Sequence, residues 1–216
     1  MKKNTLFGAV AIATLLLAVA CGSTDRNTAK DHHGQHNMAG PDTTHVQHMS
    51  LADNFAHTEL LILPTPVQLS ASAQASMVDV LNAYLSMADA LTKDDIEAAD
   101  RAIEAMLQKV EAVGTLPDTV DEKGAWRQHA ALYSAKLQEM LHVEGLEAKR
   151  SYFGHISEAM YCTVKSFAFE RQTVYANFCP MVFDNKGAYW LSSKTQIENP
   201  YMGTKMPKCG EQKEEL

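Results

Sequence analysis

Between Ser72 and Phe167 the apolar residues recur every three or four positions, and this periodicity restricts the segment to helices. Met77, Leu81, Tyr84, Leu85, Ala88 and Leu91 form the first stripe. Thr92-Lys93-Asp94-Asp95 then reads as a capping box opening a second helix, with Ile96, Ala99, Ile103, Met106, Leu107 and Val110 on one face. Gly114 and Pro117 end it. A third helix is predicted from Asp121 through Trp126, Ala130, Tyr133, Leu137 and Met140. After a break over residues 142–145, a fourth carries Phe153, Ile156, Met160, Val164 and Phe167. Four amphipathic helices with short connections predict an all-α fold, an up-and-down four-helix bundle. Beyond Phe169 the period shortens: Val174, Ala176 and Phe178 alternate with Tyr175, Asn177 and Cys179, and residues 184–187 supply a turn before Ala188-Tyr189-Trp190-Leu191. A small C-terminal β-hairpin with following loops is expected there.

The N-terminus has another character. Lys2 and Lys3 precede an apolar run from Leu6 to Ala20, too short for a comfortable membrane span and ending in small residues, as in a secretory signal peptide. Leu17-Ala18-Val19-Ala20-Cys21 resembles a bacterial lipobox, with Ala18 where leucine is more usual. That resemblance implies lipidation of Cys21, and so a lipoprotein of the bacterial envelope, periplasmic or surface-facing and held to the outer membrane through its lipid. Ordinary cleavage at the Ala-x-Ala site, leaving Cys21 as a stray thiol, is the alternative. The expected division is residues 1–20 as signal peptide, 21–58 as a disordered tether and 59–216 as the helical domain, with a Cys/Met motif segment over 173–210. Loss of Lys2 and Lys3 takes the formal charge from −7 to −9, which argues against a nucleic-acid partner.

The tether concentrates metal-ligand side chains. His32, His33, His36 and Met38 form one cluster, and His45, His48 and Met49 a second. Imidazole suits copper, zinc or nickel, and thioether favours Cu(I). A solvated linker that happens to be rich in histidine is the plainer reading. Within the helices, His129 shares the apolar face of Trp126 and Tyr133 and reads as a hydrogen-bonded core residue, while His142 and His155 have turn or edge placements. The helical methionines read as gap-filling core, and Cys162 as a small buried hydrophobe.

The C-terminal segment carries Phe178-Cys179-Pro180-Met181 and, further on, Met206 and Cys209. On a strand Cys179 and Met181 share a face, and on a turn Met206 and Cys209 converge at i and i+3. Four sulfurs meet if the last loop folds back on the hairpin, and such a set selects a soft ion, Cu(I) above all, with silver or zinc as alternatives. A Cys179–Cys209 disulfide stapling the segment to the domain is the competing reading in an exported chain. No cysteine has a local nucleophile motif and no carboxylates have a distinctive spacing, so an enzyme is not expected.

These strings carry a resemblance. FCPM at 178–181, Gly187-Ala188-Tyr189-Trp190-Leu191-Ser192, Asn199-Pro200-Tyr201-Met202-Gly203, and Met206 with Cys209-Gly210 resemble the signature of an uncharacterised family of envelope domains. That family occurs as lipoproteins and as C-terminal extensions of periplasmic adaptor subunits of heavy-metal efflux pumps. Upstream, residues 84–91 and 150–157 fit the same pattern, so the resemblance covers residues 72–213. Met202 replaces a usual aromatic residue. The resemblance implies a heavy-metal context, copper or silver, with an efflux adaptor as a partner; a scaffold lipoprotein that binds another envelope protein through Tyr189, Trp190 and Tyr201 is the rival expectation.

Overall fold

The computed structural model describes residues 51–117, 119–121 and 123–216. Within it four long helices follow one another: α1 (Ala71–Thr92), α2 (Ile96–Val113), α3 (Ala125–His142) and α4 (Leu146–Ser166). Consecutive helices pack together, whereas α1 and α4 touch only thinly. The domain is mostly helical with a small C-terminal sheet.

Local chemistry sets the helix ends. Ser70 caps α1 by accepting from the Ala73 N–H. The second cap differs from the expected box: Asp95, not Thr92, is the N-cap, accepting from the Ala98 N–H at 2.9 Å. Thr92 is still the last residue of α1 and bonds back to the Ala88 carbonyl. Helix α3 starts later than predicted because buried Asp121 stays outside it, where its carboxylate accepts from the backbone N–H of Trp126 and Arg127 at 2.8 and 3.2 Å.

The expected hairpin is present and enlarged. Strand β3 (Tyr175–Cys179) pairs antiparallel with β4 (Ala188–Ser192), Cys179 opposite Ala188 and Asn177 opposite Trp190. A further strand, β5 (Glu211–Glu215), pairs with the other edge of β3, so the order is β4-β3-β5. Sequence periodicity missed β5 because Glu-Gln-Lys-Glu-Glu has no apolar alternation. The charges suit an edge strand facing water. Purely all-α is therefore too narrow a description.

Residues 51–58, expected to belong to the tether, are part of the folded domain. Leu51–Asn54 form a 3₁₀ turn, Phe55 is buried, and the chain then lies along α3 and α4 as a strap. Glu158 accepts from the Ala56 and His57 N–H groups, Gln128 from the Leu61 N–H, and Ser166 from the Leu63 N–H. Strand β1 (Val67–Gln68) finishes it by pairing in parallel with β2 (Phe167–Ala168). These are backbone groups satisfied by side chains 67 to 103 residues away, which no local pattern announces.

Two buried polar nodes hold the layers. Leu191 on β4 donates its N–H to the Tyr84 hydroxyl at 2.9 Å, and that hydroxyl meets Ser157 Oγ of α4 at 2.9 Å. One phenol thus links α1, α4 and the sheet. His129 is buried, with Nε2 against the Leu61 carbonyl at 2.9 Å and Nδ1 against Thr163 Oγ1 at 3.1 Å. The carbonyl fixes the proton on Nε2, so His129 is a neutral core residue rather than a ligand.

Tyr84→Phe is expected to leave the buried Leu191 N–H unsatisfied and to lower unfolding free energy by about 1–3 kcal/mol, read from urea denaturation. Burial pushes His129 down to about 4 from 6.5. The unfolded chain takes up this proton first as pH falls, so the stabilisation is complete above pH 6.5 and disappears towards pH 4, on the order of 3 kcal/mol. His155, also lowered by burial and then by His57, adds to the same slope. Thermal scans should therefore show a smaller loss of Tm between pH 7 and pH 4.5 in His129→Gln than in the parent.

Candidate metal centre

Cys179 ends β3 and is fully buried; Cys209 closes a turn before β5, its N–H bonded to the Met206 carbonyl at 3.1 Å. Their Sγ atoms stand 2.8 Å apart. Two of the four predicted sulfurs are thus brought together. Met181 and Met206 are 49% and 41% exposed, with their side chains turned substantially towards solvent. The contact with Cys179, then burial, pushes the Cys209 thiol up to about 11. Cys162 lies apart in the core, and burial raises its thiol to about 12, the state of an inert buried hydrophobe.

The loop that delivers Cys209 is fixed by one side chain. Asn199 is buried; its amide nitrogen donates to the Cys209 carbonyl at 2.6 Å, and its Oδ1 accepts from the Tyr201 and Met202 N–H groups at 2.8 and 3.1 Å. Its backbone N–H bonds the Pro207 carbonyl at 2.8 Å. Gly210, at φ 135°, then lets the chain slide over the sheet, since a Cβ there would stand 2.8 Å from Trp190 Cη2 and 2.9 Å from the Phe178 carbonyl.

Arg150 of α4 ties this loop to the helices. Its guanidinium donates to the Pro200 and Leu91 carbonyls, both at 2.7 Å, and pairs with Asp94 in the α1–α2 turn. Asp94 also accepts from the Thr204 N–H at 3.0 Å and from its hydroxyl. Hydrogen bonds from Thr204, then Arg150, hold the Asp94 carboxyl at about 2. Gly203, at φ 53°, sits under the pair, where a Cβ would overlap Asp94 Oδ1 and Arg150 Nη2.

After Met181 the chain makes a short turn, Val182–Asn185, in which Phe183, Asp184 and Asn185 all have positive φ, from 52° to 65°. Asp and Asn tolerate this region; phenylalanine does so only when its surroundings force it. Phe183 is braced edge-on against Tyr201. It also lines a cavity of about 730 Å³ with Phe55, His155, Glu158, Gly187 and Tyr189.

A second set of ligand atoms meets on that cavity's rim. His57 Nε2 lies 2.9 Å from His155 Nδ1, and with the Glu158 carboxylate all three residues offer donor atoms within 4.8 Å of one another. Sequence reading missed this set because His57 was assigned to the tether and its partners are about a hundred positions away.

Cys21, His32, His33, His36, Met38, His45, His48 and Met49 lie outside the described residues. No helix among the described residues is long and apolar enough to cross a membrane.

Residues 80–172 match a family model described as Protein of unknown function (DUF3347). The matched span runs from within α1 past β2, so it contains Arg150, His155 and Glu158 but stops before Cys179. No curated protein and no solved structure matches the chain.

Arg150→Ala is expected to release the 199–204 loop, leaving Asp94 without its cation and lowering stability by on the order of 2 kcal/mol. Hydrogen exchange should speed up at the Cys209 amide before it does in α2 or α3.

Proposed function

We propose that this is a lipid-anchored envelope protein that binds a soft heavy metal, copper above all, for metal tolerance or transfer to an efflux complex. The observation that carries the proposal is the pair of cysteine sulfurs held 2.8 Å apart at the junction of a buried strand and a fixed loop. The donor set suits the cargo: thiolates bind Cu(I), Ag(I) or Zn(II). With metal–sulfur bonds of about 2.3 Å, two thiolates stand about 3.8 Å apart on a tetrahedral ion and about 4.0–4.6 Å apart on trigonal or linear Cu(I), so the pair opens by roughly 1 Å or more as the ion displaces the thiol protons. Cys209 is only partly buried and can make that movement. Met181 and Met206 lie exposed on the two flanking turns, and their thioethers would join the ion only by turning inward. Lipidated Cys21 would hold the protein at the membrane, and the His/Met clusters of the tail would collect the metal. An efflux adaptor is the partner this reading calls for.

The same short contact favours a second reading, in which Cys179 and Cys209 form a disulfide and the protein is a structural or interaction lipoprotein. The described residues from 51 to 216 fall within one compact unit, which provides the material to separate the two. A Cu(I) competition titration on the reduced unit is expected to give one tight equivalent. The double variant Cys179→Ser, Cys209→Ser should lose it while keeping its circular dichroism. Absence of binding in both proteins, with a lower Tm in the variant, would establish the staple instead.

A further inference from the structure

The cluster of His57, His155 and Glu158 is built in a way the strap alone does not require. His57 Nδ1 faces the Glu59 carboxylate at 3.0 Å, which places the proton on Nδ1 and the lone pair on Nε2. A carboxylate behind an imidazole is the arrangement that orients and strengthens a histidine ligand. That lone pair points at His155 Nδ1, 2.9 Å away, with the rings edge to face. Two nitrogens at this separation match the right-angled bite of a tetragonal ion, since metal–nitrogen bonds of about 2.0–2.1 Å then subtend about 2.9 Å, and they open by roughly 0.4 Å for a tetrahedral one. Glu158 is locked from behind, Oε1 by the Ala56 N–H at 2.9 Å and Oε2 by the His57 N–H at 3.1 Å, and each oxygen keeps a lone pair. His155 and Glu158 both border the 730 Å³ cavity, which leaves space for water on the remaining coordination positions.

From this geometry we infer that His57, His155 and Glu158 form a second metal site, for a borderline divalent cation such as Zn(II) or Cu(II). Binding moves the His155 proton from Nδ1 to Nε2, so both imidazoles stay neutral and both present a nitrogen lone pair to the ion. The nitrogen and oxygen donors set this site apart from the sulfur pair, so it stands independently of the soft-metal reading. It lies where the strap meets α4, at the end of the His/Met-rich segment.

The test uses the full chain without residues 1–20, carrying Cys179→Ser and Cys209→Ser so that the sulfur pair contributes nothing. Zn²⁺ is the probe, followed by calorimetric titration and by Tm. Tail sites are common to every protein compared. The expected result is that His155→Phe and Glu158→Gln each lose one equivalent, or weaken it more than about tenfold, and lose the Zn²⁺-dependent rise in Tm. Glu158→Gln keeps an acceptor for the strap and decides the matter if His155→Phe fails to fold. Equal stoichiometry, affinity and Tm shift in parent and variants would overturn the proposal and leave the cluster as a hydrogen-bonded fastening of the strap.

Discussion

The placement of the Cys209 sulfur against Cys179 depends on the ion pair between Arg150 and Asp94. The guanidinium gathers the end of α1, the α1–α2 turn and the Pro200 carbonyl onto α4, and the carboxylate reaches on to Thr204. From that anchor, Asn199 sets the Cys209 carbonyl and Gly210 sets the approach to the sheet. A charged pair closed between elements is weak evidence of stability, and here its hydrogen bonds to the Pro200 and Leu91 carbonyls and to Thr204 hold the loop against the helices. Tyr84 does the corresponding task for the sheet, taking a strand N–H that no neighbouring strand satisfies.

The helices were legible because each carries its own signal. The stripes through Leu81, Ile103, Tyr133 and Ile156 are local, and Gly114 and Pro117 punctuate them. Caps were less legible. Thr92 and Asp95 both have capping side chains, and the choice of Asp95 depends on Asp94, which adopts φ 58° in the turn. Strand β5 was invisible for a different reason: an exposed edge strand needs only backbone partners, and β3 supplies them.

The candidate sites divide along the same line. Cys179 and Cys209 could be paired from the sequence because each stands close to a methionine in the C-terminal segment, and the structure brings their sulfurs together. Met181 and Met206 were grouped with them by spacing alone, and spacing does not say how far a side chain leans into solvent. His57, His155 and Glu158 gave no sequence signal. Two of them sit on one turn of α4, but the third arrives on a strap whose existence follows from scattered side-chain hydrogen bonds. Helical periodicity also drew attention to His129, which the Leu61 carbonyl turns into a structural group.

The strap also has a consequence for the order of assembly. Helix pairs α1–α2 and α3–α4 close short loops and belong to the fast class of contacts. Ala56 and Glu158 are 102 positions apart, and Val67 meets Phe167 only through a parallel pairing that needs α4 to be complete. Closing a loop of that length before the helices exist would cost entropy that a few hydrogen bonds do not return. Contact order therefore predicts that the N-terminal strap docks after the helices have formed.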